Sequence, residues 1–171
     1  MQSTFFITQG ITYEIQKNGG YIWSPSKIKA SAVQRFYYDN ITHFEIGDIV
    51  FHYLNKNFVA ISQVEPILKG KAYIKATIPE ELSAEQWYSE GYIAKCHYVE
   101  FKNPIPIALF HSTIMKYKAS KFSAFNKNGT VCQGYLYHFE KEIADAVIKK
   151  AVENQPELYR VDFIFNYLTG D

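Results

Sequence analysis

The sequence predicts one mixed α/β domain, of the α+β kind, whose mostly non-parallel sheet curls into a barrel. Three observations predict it. Short runs of β-branched and aromatic residues, "TFFIT" (4–8), "IVFHYL" (49–54), "FVAISQV" (58–64), "YIAKCHYVEF" (92–101) and "VCQGYLYHF" (131–139), alternate with polar turns. Two of those runs are joined by Asn55-Lys56-Asn57 alone, which reads as a β-hairpin with a three-residue loop. Helical periodicity is plainest at 139–154, where Phe139, Ile143, Val147 and Ala151 recur every four residues and Pro156 ends the run. A chain of 171 residues fits one domain with a core large enough to need no metal or disulfide.

In chain order, the first strand (4–8) is followed by a loop over 10–20 that ends in Gly19-Gly20, and "YIW" resumes extended structure. Ser31 opens a helix with Gln34 as its capping-box partner, setting Val33, Phe36 and Tyr37 on one face. After a Gly47-Asp48 turn comes the hairpin, then a short strand within 71–78. "PEELSAEQWYSEG" (79–91) has acids in its first turn and a terminal glycine, as a short helix does. "NPIPI" (103–107) is expected to end the longest strand, because proline donates nothing to a ladder. The lysine- and serine-rich stretch 108–130 reads as loop with helical turns. The aromatic tail "ELYRVDFIFNYL" reads as a last helix or the lead-in to a further domain, which places the main domain at 1–155 and the tail at 156–171.

Aromatic content is high, with 14 Tyr and 13 Phe. No apolar run approaches the roughly 18 residues of a membrane span, and the N-terminus lacks the basic and apolar regions of a secretory signal. Cys96 and Cys132 are too few for a disulfide framework. A soluble, reducing, cytoplasmic setting is expected. The net charge of +1 hides an uneven distribution. Residues 16–38 carry Lys17, Lys27, Lys29 and Arg35 and no acid; residues 101–139 carry Lys102, Lys116, Lys118, Lys121 and Lys127 and again no acid. If the two segments meet they form one basic face suited to a polyanion such as nucleic acid; if they do not, the lysines only solubilise loops.

The sequence holds no phosphate-cradling glycine motif, no nucleophile elbow and no H-E-x-x-H. Cys96 and His97 are adjacent on a strand, point to opposite faces and do not chelate one ion. His52 has no partner in sequence that would make it a catalytic base, and a hydrogen-bonded structural histidine is expected. No catalytic group, metal or cofactor is assigned. Binding is better supported. Trp23 and Trp87, the two tryptophans, fall at loop boundaries, and planar aromatic walls hold an unstacked base with roughly 1–3 kcal/mol of stacking. Tyr21, Phe51, Tyr53, Tyr88 and Tyr92 are further candidates for the lining. The competing reading is that both tryptophans are core residues.

The pattern "YIWSPSK … FYYDNITHFEIGDIVFHYLNKNFVAISQV" resembles the PUA-like superfamily, specifically its EVE and YTH branch. The resemblance lies in Ile22-Trp23-Ser24 after the first strand, in Gly47-Asp48 leading into "IVFHY", in its partner "FVAISQV", and in "GYIAKCHYVEFKNPIPI". "FNKNGTVCQGYLYHFEKEIADAVIKK" is similar to the closing loop, strand and helix of such domains in McrB-type and HNH-type modification-dependent restriction systems. Together these pieces span residues 4 to about 154. The resemblance implies an EVE-like curled β-barrel with flanking helices and an aromatic cage for a modified base. It matches Trp23 to a cage tryptophan, Ser24 to the polar residue beside it, and Tyr53 to a lining aromatic. The second wall falls in "QWYSEGY", at Trp87 first, then Tyr88 and Tyr92. Asn126, Lys127 and Asn128 match the loop at the pocket mouth, and Lys27, Lys29, Lys121 and Lys127 would hold phosphates. Where EVE domains carry an Arg-Asn pair after their tryptophan, this chain has Pro25, Ser26 and Lys27.

The function expected is that of a non-catalytic reader of modified double-stranded DNA, with N6-methyladenine or a modified cytosine flipped into the cage. Its partner would be a nuclease or NTPase domain or subunit of a restriction system. The alternatives are an RNA-binding PUA-like domain and a binder of small nucleotides.

Overall fold

The structure, a computed structural model, describes residues 2–26, 35–82 and 87–170. Its elements run β1 (Thr4–Thr8), α1 (Tyr13–Gly19), β2 (Tyr21–Pro25), α2 (Phe36–Asp39), β3 (Ile49–Leu54), β4 (Asn57–Glu65), β5 (Ile74–Thr77), β6 (Glu90–Pro106), α3 (His111–Tyr117), β7 (Leu136–His138), α4 (Lys141–Asn154) and α5 (Asp162–Thr169). The seven strands form one sheet in the order β2-β6-β4-β3-β1-β7, with β5 also on β6. β1 runs parallel to β3, Thr4 facing Ile49 and Thr8 facing Tyr53, and antiparallel to β7. The other pairings are antiparallel.

The sheet curls until its two ends approach. Tyr135, next to β7, donates its hydroxyl to the Trp23 carbonyl in β2 at 2.7 Å. This is the mixed α/β half-barrel with flanking helices that the sequence predicts. Alternation along β1 divides the core. Phe6 joins Phe51, Phe58 and Phe139 under the buried face of α4 (Ile143, Ala144, Val147, Ile148, Ala151, Val152), whereas Phe5 and Ile7 join Ile22, Val50 and Leu136. Leu158, Phe163 and Ile164 of the C-terminal segment pack into the α4 cluster, and the Tyr167 hydroxyl donates to Asp145. No helix among the described residues is long and apolar enough to cross a membrane.

Several local expectations change. The hairpin loop has two residues, not three: Asn55 and Lys56 take φ of 50° and 68°, and Asn57 already faces Leu54. Positive φ at both loop positions is the geometry whose twist matches the flanking strands. The expected loop over 10–20 holds α1, which buries Tyr13 and Gln16 and is ended by Gly20 in the left-handed region. β6 continues through Pro104 to Pro106. Its register against β4 slips between Phe58 (opposite Ile105) and Ala60 (opposite Glu100), so Pro104 falls where no ladder donor is required. Glu90 and Gly91 begin β6 rather than end a helix, and residues 83–86 of that expected helix lie outside the described residues. So do Ser31, Val33 and Gln34; α2 covers Phe36–Asp39. The last strand is confined to Leu136–His138, and 108–130 contains α3.

Candidate nucleic-acid interface

Trp23 sits in β2 opposite Ile93 of β6. As an edge-strand residue it has a backbone N–H and C=O that face away from β6, and side chains take both. The N–H donates to Gln16 Oε1 at 2.8 Å, and the carbonyl accepts from Tyr135. Gln16, itself fully buried, also donates to Thr12 Oγ1 and to the Tyr135 hydroxyl, each at 2.9 Å. Two side chains thus close the seam between the ends of the sheet, where an open strand edge would otherwise lie.

The Trp23 indole has no exposed surface, and its Nε1–H donates to the Ala76 carbonyl at 3.1 Å. Room for it comes from Gly91, where a Cβ would stand 2.6 Å from the indole. Trp87 is half-buried, its ring centroid 5.6 Å from that of Trp23 with the planes tilted 44°. It also lies 5.2 Å from Tyr135 and 6.3 Å from Tyr38, and its Nε1–H donates to the Tyr38 hydroxyl at 3.2 Å. Ser24 donates to the Tyr38 carbonyl at 2.7 Å. Tyr38 therefore ties Ser24 and Trp87 to one point. Burial raises the phenols of Tyr38 and Tyr135, keeping both neutral hydroxyls. A flat ring sandwiched at van der Waals contact needs walls about 7 Å apart, so the two indoles stand too close to admit one between them.

From Trp87 the aromatic contacts continue outward. Tyr38 meets Tyr37 at 4.8 Å, Tyr37 meets Phe36 at 5.4 Å, and Phe36 meets Phe122 at 5.1 Å. Phe36 and Tyr37 also touch Tyr137. These contacts join the two acid-free segments, and they bring Arg35 and Lys121, both exposed, beside the touching rings of Phe36 and Phe122. Lys17 and Lys102 are instead paired with acids, Lys17 with Glu14 and Glu100, Lys102 with Glu157. Lys27 and Lys29 lie outside the described residues.

The remaining candidates are dispersed. Tyr92 faces Ser24 across the β2–β6 pair, packs against Tyr73 and lines a 460 Å³ pocket with Ser26, Lys75 and Glu90. Tyr88 is half-buried beside Trp87 in sequence. Tyr53 packs with Phe6 and Phe58 in the α4 cluster and lines a separate 220 Å³ pocket with His111, Gly129 and Thr130. Asn126 spends its side chain closing its own loop, Oδ1 accepting from the backbone N–H of Asn128 and Thr130. Lys127 and Asn128 are exposed on that loop, and Lys121 lines a third pocket, of 380 Å³. Sequence reasoning missed Gln16, Tyr38 and Tyr135. Tyr38 was visible in "FYYDN" and Tyr135 in "QGYLYHF", but nothing local marks either as touching a tryptophan.

His52 is wholly buried. Its Nδ1 lies 2.7 Å from Gln9 Oε1 and its Nε2 2.7 Å from Ser62 Oγ. With Nδ1 protonated, Nε2 accepts the serine hydroxyl, and both ring nitrogens are satisfied. Desolvation pushes its pKa down to about 3, so the ring is neutral. Gln9 passes the chain on to the Tyr98 hydroxyl, which donates to the Tyr21 carbonyl. This is a structural histidine, as expected. Cys96 is buried and His97 exposed on the opposite face.

No family model matches the chain, and no curated protein matches it in sequence. Solved structures do resemble it. The N-terminal domain of Staphylothermus marinus McrB superposes with a TM-score of 0.53 at 13% identity, over 88% of this chain and 95% of that one. The likeness is one of fold. A hypothetical protein from Leishmania major gives a TM-score of 0.55 at 7% identity, covering 91% and 98%. A protein from Agrobacterium tumefaciens gives 0.50 at 14% identity, covering 87% and 92%.

Proposed function

We propose that this chain is a non-catalytic DNA-binding domain that reads a modified base, N6-methyladenine or a modified cytosine, and directs a separate nuclease or NTPase of a restriction system. The observation that carries the reading is the position of Trp87. A half-exposed indole is held among Trp23, Tyr38 and Tyr135, at the inner end of an aromatic series that leads to Arg35 and Lys121. Supporting it are the fold shared with the McrB N-terminal domain and the resemblance of Ile22-Trp23-Ser24 to the cage element of EVE and YTH domains.

The closed spacing of the indoles gives the mechanism its first step. A flipped base enters by pushing Trp87 outward, and is then stacked between the fixed Trp23 and the displaced Trp87. Flipping costs a few kcal/mol, and two stacking faces at roughly 1–3 kcal/mol each offset it. A methyl group adds apolar burial that the unmodified base lacks. Exposed cations hold phosphates and set the register without reading sequence.

The test is polarisation binding to matched duplexes carrying unmodified, N6-methyladenine or 5-methylcytosine sites, with Trp87→Ala alongside. A preference for one modification that disappears in the variant supports the reading. Equal, salt-sensitive affinity for all three duplexes refutes it and leaves general phosphate binding.

A further inference from the structure

His43 and His138 are 95 residues apart in sequence and side by side in the fold, Nδ1 of His43 lying 2.8 Å from Nε2 of His138. Both side chains are exposed, so the space around the two nitrogens is open to solvent. Different elements carry them. His138 is in β7, opposite Phe5 of β1, with its ring centre 4.7 Å from that of Phe5. His43 ends the 3-10 turn Asn40–His43. That turn is tied to β7 and β1. The buried Asn40 donates its amide to the Leu136 carbonyl at 2.8 Å, Ile41 is fully buried, and Phe44 meets Phe5 edge-on at 4.8 Å. Two imidazoles are thus held together by backbone that core packing fixes, which is the preorganisation a pair of ligands requires.

The separations suit one ion between them. Two nitrogens on a tetrahedral zinc ion, each roughly 2.0–2.1 Å from it, stand about 3.3–3.4 Å apart. A ring centre lies about 1.1–1.2 Å behind its nitrogen, so two imidazoles on such an ion have centres roughly 5.1–5.3 Å apart. The ring centres of His43 and His138 are already 5.1 Å apart. The nitrogens can therefore part by about 0.5 Å through tilting of the rings alone, with the backbone in place. Among the described residues no third His, Cys, Asp or Glu joins them, which leaves the other positions on the ion to water. Lys121 and Glu140, which line the same pocket, bring one charge of each sign.

We infer that His43 Nδ1 and His138 Nε2 bind one divalent transition-metal ion of the copper–zinc group, the class that imidazole suits. In the free chain one of the two nitrogens carries the hydrogen that joins the pair. On binding, that hydrogen moves to the far nitrogen of the same ring, so both facing nitrogens present lone pairs and the neutral pair releases no proton. Nothing local in the sequence marks the site, because each histidine stands alone in its own segment.

The test is titration of the untagged chain with zinc chloride, read by calorimetry and by NMR shifts of the histidine ring signals. The wild type should take up one ion per chain with an affinity of about micromolar. His43 and His138 should shift, while His97 and His111, also exposed, stay in place. His43→Gln and His138→Gln alter exposed side chains, and each should weaken binding by about tenfold or more; His97→Gln should leave it unchanged. Zinc should also raise the melting temperature of the wild type and not that of the two variants. Absence of binding to the wild type overturns the inference, as does wild-type affinity in either variant. So do shifts confined to His97 or His111. An ion held instead at the partly exposed Cys132 thiol would give the same heat in every variant, and that result overturns it too.

Discussion

A Cβ on Gly91 would stand 2.6 Å from Cζ2 of Trp23 and 2.2 Å from the Ser24 carbonyl oxygen, so the missing side chain of one residue is the space the other occupies. The cross-strand partner of Gly91 is Pro25, which leaves no backbone slack on that side. Gly91→Ala should therefore displace Trp23 or part β2 from β6. Overpacking of this kind costs about 1–3 kcal/mol, which lowers the melting temperature by roughly 2–12 °C for a chain of this size. Calorimetry on the variant measures it. An unchanged melting temperature would mean that Trp23 is not seated against β6 as described.

Tyr135 and Trp23 make a second dependence across the seam. Replacing Tyr135 by Phe keeps the ring contacts with Tyr38 and Trp87 but removes the hydroxyl that serves the Trp23 carbonyl and Gln16. Buried groups left without a partner cost about 1–3 kcal/mol. Urea unfolding of Tyr135→Phe should show a loss in that range with an unchanged slope. A loss below about 0.5 kcal/mol would mean that the hydroxyl is not what joins the sheet ends.

The fold was legible where pattern and burial agree. The alternation of Phe5, Phe6 and Ile7 and the four-residue recurrence in α4 reappear as the two faces of the core. It was illegible where one residue serves a distant one. Gly91 reads locally as a helix stop, yet its role is to admit Trp23. Gln16 reads as a polar loop residue, yet it is fully buried because the Trp23 N–H requires an acceptor. Pro104 reads as a strand end, yet a register slip accommodates it. The candidate site was legible to the same extent. Trp23, Ser24 and Trp87 come together, but Tyr38, which holds two of them, is identified only by distances.

His52 gives the fold an acid-sensitive point. Its pKa is about 3 in the folded chain and 6.5 when unfolded, so above pH 6.5 the ring is neutral in both states and its burial carries no protonation penalty. As pH falls below 6.5 the unfolded chain takes up a proton that the folded chain refuses. Stability then declines by up to about 1.4 kcal/mol per pH unit until the folded ring also protonates near pH 3. Urea midpoints at pH 7, 6 and 5 should fall in that order, and His52→Gln should flatten the dependence. A wild-type midpoint constant from pH 7 to 5 would contradict the buried neutral ring.

The two tryptophans should respond very differently to removal. Trp23 is fully buried and donates to the Ala76 carbonyl, so Trp23→Ala opens a cavity and orphans an acceptor, at about 3–5 kcal/mol. Trp87 is half-exposed, and one of its partners is the Tyr38 hydroxyl, which half-buried surroundings leave able to bind water. Trp87→Ala should cost about 1–2 kcal/mol and yield a folded protein in which binding can be measured. The same asymmetry gives an optical signal. Emission from Trp87→Ala reports the buried Trp23 alone and should be blue-shifted relative to the wild type. When a modified duplex is added to the wild type, the contribution of Trp87 should change as it leaves Tyr38 and Tyr135 and stacks on the base. Emission from the wild type that stays constant at saturating modified duplex would rule out insertion between the indoles, because neither ring could then have gained a base as a neighbour.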